Sequence, residues 1–118
     1  LYKYVLYYLE VRQVFLDPKL SLNKLSEMIE TNQTYLSNVV NRYFGCHLKD
    51  LLNKYRVEYA KELLRSDTYT LDELPQRCGF LSRSTFYAAF KKMTGASPKK
   101  YMKQEQRAVQ SSEPIEYV

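Results

Sequence analysis

Two stretches of this 118-residue chain, Gln33 to Arg42 and Ser82 to Lys92, carry hydrogen-bonding side chains at helical spacing with no acid among them. In the first, Thr34, Ser37, Asn38 and Asn41 recur by steps of three and four residues, which places them on one face of a helix. In the second, Arg83 stands near the start. The planar fork of an arginine can meet guanine O6 and N7 together, and an asparagine can meet adenine N6 and N7 in the same way, so Arg83 and Asn38 are the candidates for reading base edges. Thr34, Ser37 and Ser84 are short donors suited to phosphates or waters. Catalysis is a poor fit, for the chain has no glycine-rich phosphate loop, no metal-ligand cluster and no nucleophile beside a base. His47, the one histidine, neighbours Cys46, but one His and one Cys make neither a metal site nor a catalytic pair. No cofactor is expected.

The elements that must hold these side chains occur twice. SLNKLSEMIETNQTYLSNVVNRYFG runs from Ser21 to Gly45, and TLDELPQRCGFLSRSTFYAAFKKMTG from Thr70 to Gly95. Each copy opens with a hydroxyl residue and Leu (Ser21-Leu22, Thr70-Leu71), has a second Leu three residues on (Leu25, Leu74), and closes with an amphipathic helix running into Gly. The openings lie 49 positions apart and the closing glycines 50, so the second copy has one extra residue in its turn. Each copy reads as a helix-turn-helix. Two such units on one connector can present two recognition helices to successive major-groove segments of one DNA duplex.

Periodicity fills in the rest. One helix is expected from Tyr2 to about Phe15, with Asp17-Pro18 ending it because the residue before proline is pushed out of the α region. Ser21 caps a helix to about Glu30, and Asn32 caps the next, with Tyr35, Leu36, Val39, Val40 and Tyr43 on or near its apolar stripe. A connecting helix from about Leu48 to Arg65 buries Leu51, Leu52, Tyr55, Tyr59, Leu63 and Leu64. Thr70-x-x-Glu73 reads as a capping box. Ser82 caps a helix with Phe86, Ala89, Phe90 and Met93 inward, and Pro98 opens the last helix at a position where its missing N–H is harmless. The polar stretch from Gln110 is expected to be mobile. The resulting division is 1–19, an amino-terminal helix and turn; 20–45, the first helix-turn-helix; 46–69, the connecting helix; 70–103, the second helix-turn-helix and final helix; and 104–118, a polar tail.

Charge agrees with that layout. The net charge is +5 and the pI about 9.1. Between Glu73 and Glu105 there is no acid, while Arg77, Arg83, Lys91, Lys92, Lys99, Lys100 and Lys103 supply seven positive charges, and Thr31 to Lys49 is also free of acids. Acids gather instead on the connecting helix and at the openings of the repeats. A surface that meets phosphates needs this distribution. No apolar run is long enough to span a bilayer, no signal segment opens the chain, and the first residue is Leu1, so a fragment of a longer protein is expected. Cys46 and Cys78 have neither metal spacing nor a disulfide framework, which fits a reduced, cytoplasmic setting.

From Leu20 to Tyr101 the chain resembles the AraC/XylS-type transcriptional regulators. The resemblance rests on TNQTYLSNVVNRYFG, the connector NKYRVEYAKELLRS, CGF followed by STFYAAFKKMTG, and the closing GASPKKY, in this order and spacing. It implies an all-α, homeodomain-like fold of about seven helices, with two helix-turn-helix lobes joined by a long connecting helix. It also implies sequence-specific binding of double-stranded DNA in transcription regulation, often activation. A separate amino-terminal sensing or signal-receiving domain and RNA polymerase are the further partners implied. Carried over residue by residue, the first recognition helix exposes Gln33, Thr34, Ser37, Asn38 and Asn41, with Tyr35, Leu36 and Val40 holding it to the core. The second exposes Ser82, Arg83, Ser84, Tyr87, Ala88 and Lys91, opposite Phe86 and Phe90. Arg42, Lys92, Lys99 and Lys100 then position the duplex without reading it.

The chain departs from the family where Asn38 and Ala88 replace commonly basic residues and where Met102 replaces a frequent Arg. Pro75 stands where a small helix former is usual and is expected to leave the Leu71 carbonyl without its helical partner. Arg56 is read as a structural residue rather than a DNA contact, Cys78 as packing, and the tyrosines Tyr2, Tyr4, Tyr7 and Tyr8 as a packing surface. The alternative reading from another class is a helical protein-protein interaction module whose basic faces bind an acidic partner. An enzyme is a distant third.

Overall fold

The computed structural model describes residues 1–66 and 69–111, with side chains as far as residue 106. Among these residues every regular element is helical: α1 (Tyr2–Leu6), α2 (Leu22–Ile29), α3 (Gln33–Phe44), α4 (Leu48–Ser66), α5 (Leu74–Arg77), α6 (Arg83–Thr94) and α7 (Pro98–Ser111). The all-α fold with two lobes on one connector stands as expected. Residues 112–118, assigned to the tail, lie outside the described residues, and α7 carries the helix through 104–111, which had also been assigned to it.

α4 is the spine, and its two halves serve different cores. Leu48, Leu51 and Leu52 pack with Val5, Leu9, Phe15, Leu20, Leu25, Leu36 and Val40 of the first lobe. Val57, Ala60 and Leu64 pack with Leu74, Cys78, Phe80, Phe86, Ala89 and Phe90 of the second. Tyr59 touches both. A single apolar stripe does not describe such a helix, which is why Val57 and Ala60 escape the periodicity. Tyr55 and Leu63, expected inside, are only partly buried.

Arg56 sits at the changeover, 7% exposed. Its Nε donates to the Phe15 carbonyl at 2.7 Å and an Nη donates to the Asp17 carbonyl at 3.0 Å. Its guanidinium lies 5.8 Å from the centroid of the Phe80 ring. Burial pulls the Arg56 pKa below its ordinary value, and the fields of Cys78 and Asp17 act the other way. An arginine stays charged through such opposition. Gly79 completes the junction at φ +93°. A Cβ there would run into the Phe15 carbonyl oxygen and crowd Arg56 Nε, so both the backbone angle and the close approach require glycine.

The junction explains the first correction. The helix expected from Tyr2 to about Phe15 is divided: α1 continues as a π-helical turn over Tyr7–Val11, Gln13 takes φ +50°, and Val14–Leu16 form a 3-10 turn. The break lets Val14–Leu16 pack against α4, where the Phe15 carbonyl accepts from Arg56.

The second correction concerns Pro75. The turn over residues 71–73 precedes α5, which begins at Leu74, so Pro75 lies in the first turn where an N–H has no helical partner to lose. The strained helix interior expected at Pro75 therefore does not arise. Thr70 Oγ1 meets Glu73 Oε1 at 3.1 Å, and Glu73 N–H donates to the Thr70 carbonyl at 3.1 Å, a closed turn rather than a reciprocal capping box. Cys78 is fully buried, its Sγ donating to the Leu74 carbonyl at 2.8 Å, and burial pushes its thiol up to about 12.

Two outcomes follow from these placements. Arg56→Ala should lower stability by about 3 kcal/mol in urea unfolding, since two carbonyls lose a charged donor at the junction. Pro75→Ala should lower the melting temperature slightly rather than raise it, because a fitted proline restrains the unfolded chain by about 0.4–1 kcal/mol.

Candidate nucleic-acid interface

Each lobe builds its outward helix by the same local steps. Ser21 Oγ accepts the Lys24 N–H at 3.1 Å and starts α2. Asn32 Oδ1 accepts the Tyr35 N–H at 2.8 Å and starts α3; Ser82 Oγ accepts the Thr85 N–H at 3.2 Å and starts α6. Caps of this kind satisfy donors that the first turn leaves without intrahelical partners. The helices stop at Gly45 (φ +72°) and Gly95 (φ +80°), whose N–H groups close onto Asn41 and Lys91. Between cap and stop, α3 buries Leu36, Val39 and Val40, and α6 buries Phe86, Ala89 and Phe90. Rings then brace α6 from behind: Phe86 stands 5.4 Å from Phe80 and 5.7 Å from Phe90, and Phe90 stands 5.4 Å from Tyr101.

The opposite faces look outward. On α3, Gln33, Thr34, Asn38 and Arg42 are exposed, and Ser37 and Asn41 are half-buried. On α6 and its cap, Ser82, Arg83, Ser84, Lys91 and Lys92 are exposed and Tyr87 is half-buried; Lys99 and Lys100 are exposed on the first turn of α7. A groove of about 620 Å³ between the lobes is bordered by Ser37 of α3, Thr85 of α6, and His47 and Lys49 at the start of α4. Each outward helix lends this groove one residue, and of the candidate site residues only Ser37 lines it.

Individual side chains are already engaged. Gln33 Nε2 donates to Asn23 Oδ1 at 3.1 Å. Asn41 Nδ2 donates to the Ser37 carbonyl at 2.9 Å, which turns this amide back along its own helix. Arg83 Nη1 pairs with Asp72 Oδ1 at 3.1 Å, another Nη reaches the Tyr87 hydroxyl at 3.4 Å, and the guanidinium lies 5.2 Å from the Tyr87 ring centroid. Asn23 and Asp72 were not among the sequence candidates. The signal that could have found them is their shared third place in the two repeat copies.

Tyr35 corrects an expectation. It is 55% exposed and does not hold α3 to the core; Val39 takes that part. Hydrophobic spacing puts both on the apolar stripe and cannot rank the two. Tyr43 is equally exposed, but its ring lies 5.0 Å from Tyr2, which also meets Phe44 at 5.3 Å. α1 thus grips the far end of α3 through rings.

Among the described residues no group of three His, Cys, Asp or Glu is placed to hold a metal ion, and no helix is long and apolar enough to cross a membrane.

Comparison with known proteins agrees with this geometry. A helix-turn-helix domain family matches residues 25–104. The melibiose operon regulatory protein of Escherichia coli K12 is 27% identical over 95 residues, which cover 80% of this chain and 32% of that protein. The chain spans a third or less of the length of the curated relatives it matches. Among solved structures, the C-terminal domain of AraT, a response regulator from Geobacillus stearothermophilus, is 30% identical with a TM-score of 0.75, covering 87% of this chain and 80% of that one. The DNA-binding domain of AdpA, a global transcriptional factor solved with a target DNA, shares the fold at 23% identity and a TM-score of 0.75, covering 97% of this chain and 96% of that one. With two capped and glycine-stopped outward helices on one spine, and with a family match over most of its length, this chain belongs to the AraC-type helix-turn-helix DNA-binding domains.

Proposed function

We propose that this domain binds double-stranded DNA sequence-specifically by placing α3 and α6 in two successive major-groove segments of one duplex. The observation that carries the reading is that α4 serves both cores, so that α3 and α6 stand on one shared helix with their polar faces exposed. On α3, Gln33, Thr34, Ser37 and Asn38 face base edges or adjoining phosphates, with Asn41 a weaker contributor because its amide is engaged within the helix. On α6, Arg83 reads a guanine, Ser82 and Ser84 serve phosphates, and Tyr87 backs the guanidinium. Arg42, Lys91, Lys92, Lys99 and Lys100 hold the backbone. The solved complex of AdpA with a target DNA and the naming of the Escherichia coli relative for an operon support this reading. In the whole protein, we assign the domain to transcription regulation in the cytoplasm, beside a sensing or signal-receiving domain and RNA polymerase.

Binding measured against salt separates this from an acidic protein partner, because neutralising several phosphates makes log affinity for DNA fall linearly and steeply with log salt. Site selection from random duplexes should return one asymmetric element with two short blocks about 10 bp apart, the spacing of one helical turn. Inserting about 5 bp between the blocks should abolish specific binding, and undiminished binding to the insert would refute the two-groove arrangement. Arg83→Ala should lose roughly 1–3 kcal/mol and relax preference at one base pair, whereas Lys100→Ala should weaken all duplexes alike and lower the salt slope by about one unit. Uniform weakening by both variants would make Arg83 a phosphate contact.

A further inference from the structure

The two lobes repeat one contact with different chemistry. Gln33 and Arg83 are the first helical residues after the caps Asn32 and Ser82. Asn23 and Asp72 each stand third in their copy of the repeat, counted from Ser21 and Thr70. In the first lobe Gln33 donates to Asn23 Oδ1 at 3.1 Å, and in the second Arg83 donates to Asp72 Oδ1 at 3.1 Å. The same two positions of one unit meet in both lobes, although an amide pair has become a carboxylate and a guanidinium. Stability does not account for this: the Arg83 and Asp72 side chains are 66% and 82% exposed, and ion pairs in water contribute little. Affinity does not account for it either, since a carboxylate on a DNA-binding face opposes phosphates. What the contact does supply is a fixed direction for the first side chain of each recognition helix.

We propose that Asn23 and Asp72 are positioning residues that set base preference by aiming Gln33 at an adenine and Arg83 at a guanine; the proposal rests on the two-groove reading above. A glutamine amide has two N–H donors and one carbonyl oxygen. With one N–H held by Asn23, the other N–H and the oxygen are left for adenine N7 and N6, the pairing an amide makes in the major groove. The arginine fork has five N–H donors, of which Asp72 takes one and the Tyr87 hydroxyl another, so three remain for guanine O6 and N7. A side chain aimed before binding loses less rotamer freedom when DNA arrives, and it presents one hydrogen-bond pattern rather than several.

The test uses the 118-residue chain, the duplex it selects from a random pool, and competitor duplexes in which each base pair of the two blocks is replaced in turn. Asp72→Ala should lower the preference for one G·C pair in the block read by α6 by about fivefold or more and leave the other block unchanged. Asn23→Ala should do the same at one A·T pair in the block read by α3. Asp72→Asn keeps an acceptor oxygen, so it should retain most of the preference while binding random duplex more tightly than the parent. All variants should melt with the parent, since the four side chains are exposed. Alanine variants that shift every duplex by one common factor, or that leave base preference intact, would overturn the proposal. Arg83→Ala tells the failures apart. If it keeps the G·C preference, the reading of α6 is wrong and the proposal falls with it; if it loses the preference while Asp72→Ala keeps it, α6 reads DNA and only the positioning role is overturned.

Discussion

The buried guanidinium of Arg56 is the constraint on which the two-lobed arrangement turns. A permanent charge out of water must spend its donors on strong acceptors, and here the acceptors are the Phe15 and Asp17 carbonyls, which belong to the amino-terminal segment rather than to α4. At this junction the first helix is broken at Gln13, and the backbone at Gly79 comes so close that no side chain fits there. Phe80 then lies against the guanidinium and passes the support to Phe86, on the inner side of α6. A line of contacts therefore runs from the first turns of the chain to the second recognition helix through one side chain.

Much of this was legible in the residues because it is local. The caps Ser21, Asn32 and Ser82, the closing glycines and the α3 and α6 faces follow from chemistry within a few positions of each residue, and the structure places them accordingly. What escaped was set by distant partners. The Phe15 carbonyl, just past the interruption at Gln13, finds its donor in Arg56, 41 positions away. The late start of α5 makes Pro75 an opening residue instead of a breaker, a matter of two or three residues at a boundary that periodicity defines poorly. Val57 and Ala60 hid in a helix that turns one face to each core. The contacts of Asn23 and Asp72 become visible in sequence only when the two copies are laid side by side, because neither residue is unusual in its own lobe.

The two lobes are not equally built. α2 has eight residues and a hydroxyl cap, whereas α5 has four and no side-chain cap. The second lobe has a run of rings behind α6, Phe80 on Phe86 on Phe90 on Tyr101, where the buried residues of α3 are aliphatic. Contacts between rings have preferred geometry and large buried area per residue, so a lobe whose first helix is one turn long still presents α6 at a defined angle.

The split of α4 between two cores also bears on how such a domain changes over generations. Each core rests on roughly half of the chain, a size at which isolated domains are marginal, and the two share one helix. The outward faces have no such tie: the side chains of α3 and α6 that look toward solvent draw their caps and neighbours from their own lobe. Mutations can therefore rewrite one half of the recognised word while the other half keeps its meaning, and the penalty for a poorly packed trial is spread over both cores.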